Sequence, residues 1–105
     1  MPPREVAGRT IDVNEEGFLV DVGQWTPEIA EELARESGIP VLTPQHWRVI
    51  RYCREDAARE GAPPGLRRIS KHSGVETKEL YQLFPRGPGK LAARIAGLPK
   101  PQGCV

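Results

Sequence analysis

Eleven prolines and eleven glycines in 105 residues cut this chain into short pieces. Each proline lacks a backbone donor and holds φ near −65°, so regular elements begin or end beside it. The fold must therefore be built from several short elements. Thr26-Pro27-Glu28 supplies an N-cap, a proline at the first helical position and an acid in the first turn. Ile29, Ala30, Leu33 and Ala34 then fall on one face, and Gly38 closes the helix. Thr43-Pro44 repeats the start signal for a helix running to about Glu60, before Gly61. Its stripe is Val49, Ile50, Cys53 and Ala57, with Trp47 and Tyr52 beside it.

Pro63-Pro64 predicts the start of a third, short helix carrying Leu66 and Ile69 and stopping near Gly74. A fourth opens on Thr77 as N-cap, buries Leu80 and Leu83, and ends at Phe84-Pro85. A fifth follows Pro88-Gly89, with Leu91, Ala92, Ile95 and Ala96 apolar, Gly97 as the left-handed stop and Leu98 as its contact. Residues 5–22 read as β: Thr10, Ile11, Val13, Phe18, Leu19 and Val20 are strand formers between turn clusters at Ala7-Gly8-Arg9 and Asn14-Glu15-Glu16-Gly17. The expected fold is mainly α. It is a small bundle of about five helices with a helix-turn-helix-like portion, an N-terminal β-hairpin or three-stranded meander, and a flexible C-terminal arm. The expected division is a helical domain over 1–97 and an arm over 98–105.

Apolar residues make up 38% and the net charge is +1, which fits one small domain and points away from a nucleic-acid coat. No apolar run spans a bilayer and Met1-Pro2-Pro3-Arg4-Glu5 has no signal-peptide core, so the expectation is a cytoplasmic chain without a membrane partner. Two cysteines, Cys53 and Cys104, make no disulfide framework and are free thiols in a reducing compartment.

Cys104 is the residue most open to chemistry. It stands one residue from the chain's end, after Gly97-Leu98-Pro99-Lys100-Pro101-Gln102-Gly103. Such an arm is extended and solvated, and seven steps reach at most about 25 Å at ~3.3–3.6 Å each. The terminal carboxylate disfavours the thiolate and Lys100 partly opposes it, so activation belongs to a partner's cleft. The plain alternative is a stray terminal cysteine. Cys53, on an apolar stripe, reads as a small buried hydrophobe.

Leu66 to Tyr81 has the helix, glycine turn and helix of a helix-turn-helix. Arg67, Arg68, Lys71 and Lys78 are its candidate DNA-binding cations. Two packed helices joined by a tight turn are also common in all-α domains, and that plainer reading is preferred. His46 and His72 lack metal spacing with any cysteine or second histidine, so neither metal nor cofactor is expected. No catalytic triad, P-loop or dinucleotide fingerprint is present, so a self-contained active site is not expected.

Ile95-Ala96-Gly97-Leu98-Pro99-Lys100-Pro101-Gln102-Gly103-Cys104-Val105 resembles the C-terminal arm of the DsrC/TusE family of sulfur carriers. Asn14 to Leu19, Trp25, Thr43 to Trp47 with Val49-Ile50-Arg51, and Leu80 to Pro88 resemble family blocks in the same order. The resemblance implies a helical fold with an N-terminal β-hairpin. It implies that Cys104 accepts sulfur as a persulfide and passes it on. The implied partners are an upstream sulfurtransferase and a downstream acceptor, either a sulfite reductase or a tRNA-thiolating enzyme. Sulfite-reductase-linked members carry a second arm cysteine eleven positions before the first, where this chain has Ala93. The resemblance therefore implies a single-cysteine member, closer in behaviour to the tRNA-thiolation branch, although Gly103-Cys104-Val105 looks more like the sulfite-reductase branch. The expected function is a monomeric sulfur carrier loaded on Cys104, with Lys100, Arg94 and Arg86 steering the arm to acidic cleft edges. The alternatives are a DNA-binding module around Gly74 and a non-carrying paralogue.

Overall fold

A computed structural model describes residues 4–101. β1 (Arg4–Val6) and β2 (Arg9–Ile11) form an antiparallel hairpin in which Arg4 pairs with Ile11 and Val6 with Arg9. Ala7 and Gly8 both take positive φ, 51° and 77°, the backbone handedness that a two-residue hairpin turn requires. Val6 and Ile11 are buried and carry the hairpin onto the helices. The third strand of the expected meander is reduced to one bridge, Val13 with Leu19. Beyond it Val20 is 64% exposed and the chain turns into a 3₁₀ turn over Val22–Gln24, so no ladder can continue.

Five helices follow: α1 (Pro27–Glu36), α2 (Pro44–Glu60), α3 (Leu66–His72), α4 (Thr77–Leu83) and α5 (Pro88–Ile95). Thr26 and Thr43 cap α1 and α2 through side-chain oxygens that accept from Ile29 and His46 backbone N–H. His46 Nδ1 accepts from Thr43 N–H at 2.9 Å, which leaves its Nε2 to donate to Leu83 carbonyl, also 2.9 Å away. The histidine is thus a structural clasp between α2 and α4.

Two helix starts differ from expectation. α3 begins after Pro63-Pro64 rather than on them: Pro63 precedes a proline, which disfavours helical ψ there, and Gly65 takes the extended N-cap conformation at φ −81°, ψ 178°. Thr77 is the first helical residue of α4 and Glu76 its extended N-cap. Buried Val75, whose N–H donates to Ser73 Oγ, sets that register one residue early.

α5 lies at the centre and touches each of the other four helices. Its buried face of Ala92, Ala93 and Ile95 is narrow, which lets neighbouring backbones approach it closely. Phe18 and Phe84 are fully buried and are the largest side chains in the core. On α2 the stripe is His46, Val49, Ile50, Cys53 and Asp56, with Ala57 half-buried. Asp56 is fully buried, and its Oδ1 accepts from Tyr52 hydroxyl, Arg59 and Arg68. No helix among the described residues is long and apolar enough to cross a membrane.

Candidate functional site: the root of the C-terminal arm

Helix α5 ends in a mount. The last four carbonyls of a helix have no partner inside it, and here each finds one nearby. Leu98 N–H donates to Ala93 carbonyl at 2.9 Å and Gly97 N–H to Arg94 carbonyl at 3.2 Å, with Gly97 at φ 73°. These are the two bonds of the Schellman stop expected from Gly97-Leu98. Trp25 Nε1 donates to Ile95 carbonyl at 2.9 Å and Arg54 Nη1 to Ala96 carbonyl at 2.7 Å. The Arg54 guanidinium also lies 4.1 Å from the Trp25 ring centroid, so the two side chains brace each other.

Leu98 is buried against the core and Pro101 is buried as well, while Pro99 and Lys100 are exposed. The first part of the expected arm is therefore seated on the body. Cys104, on which the functional reading turns, lies outside the described residues, as do Gln102, Gly103 and Val105.

The cations named for partner steering have distinct settings. Lys100 Nζ donates to Glu16 Oε2 at 3.1 Å. Arg94 Nη2 donates to Glu16 carbonyl at 2.8 Å, and its guanidinium stands 5.2 Å from the Phe18 ring centroid. Lys90 Nζ is 3.7 Å from the same Glu16 oxygen. Arg86 is exposed, holds φ 69°, and has no ion-pair partner among the described residues.

Glu16 is the site residue that sequence reasoning missed. Asn14-Glu15-Glu16-Gly17 reads only as a turn, yet Asn14 Oδ1 accepts from Glu16 N–H at 2.9 Å and Phe18 N–H at 3.1 Å and so holds the carboxylate towards α5 and the arm. The hydrogen bond from Lys100 holds the Glu16 carboxyl below its ordinary value of 4.5, helped by the charges of Lys100 and Lys90. With a depressed folded value, the contact is complete above 4.5 and is lost as pH falls through the lower value. A carbon-detected NMR titration of Glu16 is expected to give a midpoint below 4.5 that rises in Lys100→Met. An unchanged midpoint would remove Lys100 from the contact.

Cys53 is free and buried, and burial, with a smaller contribution from Asp56, pushes its thiol up to about 12. At neutral pH it offers essentially no thiolate, which suits the packing role read from the sequence. The expectation of a single-cysteine member of the family is corrected here. The chain has two cysteines, and the second lies in the core of α2 rather than in the arm, so the arm alone does not count its thiols.

α3 and α4 join at Gly74, φ 83°, in a tight turn, and both pack on α5. Arg67, Lys71 and Lys78 are exposed, whereas Arg68 Nη2 is held 2.5 Å from the buried Asp56 carboxylate. Among the described residues no group of three or more His, Cys, Asp or Glu is placed to hold a metal ion.

The geometry defines a class: a small helical bundle with an N-terminal hairpin, whose central helix ends with its last four carbonyls satisfied. The family model described as "DsrC like protein" matches residues 5–105. The gamma subunit of the dissimilatory-type sulfite reductase of Nitratidesulfovibrio vulgaris is 42% identical over 98 residues, 93% of each chain. The sulfurtransferase TusE of Pectobacterium atrosepticum is 39% identical over 108 residues, covering 96% of this chain and 98% of that one. The crystal structure of the oxidized gamma subunit of dissimilatory sulfite reductase (DsrC) from Archaeoglobus fulgidus superposes with a TM-score of 0.83 at 43% identity, over 99% of this chain and 100% of that one. The chain belongs to the DsrC/TusE family of sulfur-relay proteins.

Proposed function

We propose that this protein carries sulfur on Cys104 between an upstream sulfurtransferase and a downstream acceptor. Residues 1–97 act as the body and 98–105 as the delivering arm, whose root from Leu98 to Pro101 rests on that body. The Cys104 thiolate attacks the terminal sulfur of a donor persulfide. A new S–S bond forms on Cys104, the donor's S–S bond breaks, and the donor leaves as a thiolate. No net oxidation occurs, and no cofactor enters. The same exchange in reverse sense hands the sulfur to the acceptor thiolate.

The observation that supports this reading most is the mount at the end of α5, where all four terminal carbonyls are satisfied immediately before the arm. A rigid base under a short tether limits the volume a terminal thiol must search. Arg86, Arg94 and Lys100 guide the arm to an acidic rim on the partner. Ala93 is buried and carries no thiol, so an internal arm disulfide at that position is not part of this mechanism. Similarity to a sulfite reductase gamma subunit and to a TusE sulfurtransferase favours an acceptor tied either to sulfite reduction or to a sulfurtransferase relay. The DNA-binding alternative is weakened because one of its four candidate cations, Arg68, is paired with the buried Asp56.

The test is onward transfer. Protein loaded by a small-molecule persulfide, freed of excess donor and mixed with an acceptor thiol, should return to its unloaded mass as the acceptor gains sulfur. Cys104→Ser should neither load nor deliver. Delivery by Cys104→Ser at the wild-type rate would reject the proposal.

A further inference from the structure

An open cleft of about 850 Å³ lies between the end of α1, the start of α5 and the hairpin. Arg4, Arg86, Lys90 and Arg94 line it, against one lining carboxylate, Glu36. Arg4 is paired with Glu36, Lys90 faces Glu16 from the side and Arg94 donates to Glu16 carbonyl, whereas Arg86 has no ion-pair partner among the described residues. Leu91 adds an apolar element to the wall. The same helix that supplies Lys90 and Arg94 ends at the arm. Eight residues of helix at ~1.5 Å each put the cleft within about 12 Å of the arm's root.

We propose that this cleft is the docking surface for an acidic segment of the protein partner with which the arm exchanges sulfur. The proposal rests on the carrier reading above and adds where the partner grips. The protein already shows the chemistry it would use. Glu16 presents one carboxylate to Lys90 and Lys100 and its backbone carbonyl to Arg94, as an acidic peptide strand would. A partner carboxylate reaching Lys90 competes with Glu16, and losing Glu16 loosens Lys100 at the arm's root. Exposed pairs of this kind add little net stability, so the exchange is easy. A nucleic acid fits less well: the cleft is concave, Glu36 and Glu16 lie within or beside it, and the net charge of +1 gives no broad field for a phosphate backbone.

A fluorescent oligoglutamate peptide is the probe, with NMR shift mapping on the full chain. The expected result is saturable, salt-sensitive binding that shifts Arg4, Arg86, Lys90 and Arg94. Arg86→Gln/Lys90→Gln should weaken it about tenfold, whereas Arg67→Gln/Lys71→Gln on α3 should leave it unchanged. Glu16→Gln should tighten it about threefold by removing the competing carboxylate. Circular dichroism melting checks that each variant is folded, and the Glu16 variant gives a gain that misfolding does not produce. Binding that maps to α3 and α4, or an RNA oligonucleotide that displaces the peptide at lower concentration, would overturn the proposal. Peptide binding by a protein that takes no sulfur on Cys104 would sink the carrier reading and leave the cleft in place. A loaded protein indifferent to the peptide would do the reverse.

Discussion

Gly97→Ala is expected to cost about 2–4 kcal/mol of stability, with a fall in Tm of roughly 8–32 °C at ~4–8 °C per kcal/mol for a domain this small. Two penalties add. Gly97 holds φ 73°, a conformation side chains rarely adopt. A Cβ there would also stand 2.3 Å from Trp25 Cδ1 and 2.6 Å from Trp25 Cγ. The indole cannot swing away without breaking its bond to Ile95 carbonyl and its contact with Arg54. Gly61 provides the control: its φ of 83° is similar but nothing lies within 4 Å of an added Cβ, so Gly61→Ala should cost only about 1 kcal/mol. Thermal and urea melts of the two variants separate the terms. Equal losses would mean that Trp25 does not pack on the arm's root. The double variant Trp25→Ala/Gly97→Ala should lose less than the sum of its singles.

Alkaline pH gives the second large effect. The Cys53 thiol is raised from 9.0 to about 12 in the folded protein. Between those values the unfolded chain loses a proton that the folded chain keeps. Stability is therefore fully present below 9.0 and falls with rising pH by up to about 1.4 kcal/mol per unit until the folded thiol itself ionises near 12. Cys53→Ala opens a small cavity and lowers stability near neutral pH, but it should flatten this slope, so that the two stability curves converge as pH rises. Urea midpoints of wild type and variant from pH 8 upward measure the difference. Parallel curves would show that the thiol is not shielded as the fold implies. Native Cys53 should likewise resist iodoacetamide at pH 8 and react once the chain is unfolded.

The elements were legible in the sequence where punctuation and pattern agreed. Thr26-Pro27 and Thr43-Pro44 begin α1 and α2, and Gly38, Gly61 and Gly97 end three helices in left-handed conformation. Those signals are local, and local chemistry decides them. The β segment was less legible. Val13, Phe18, Leu19 and Val20 have strand propensity, yet the Asn14 turn draws Phe18 and Leu19 into the core and leaves only a bridge. Asp56 escaped because a carboxylate on an apolar stripe looks like a solvated position until Tyr52, Arg59 and Arg68 converge on it from α2 and α3. Trp25, Arg54 and Glu16 were hidden for the same reason. Their partners are Ile95, Ala96 and Lys100, far along the chain, and sequence pattern carries no signal for contacts at such separation. The family blocks included Glu16 and Trp25, though not Arg54, without saying what they hold.

The most direct measurement is peptide-resolved mass spectrometry of the wild-type protein after exposure to a persulfide donor under native conditions. The account predicts one added sulfur atom on the C-terminal peptide bearing Cys104, removable by reductant, and an unmodified peptide bearing Cys53. Sulfur found on Cys53, or on neither cysteine with several donors, would contradict it.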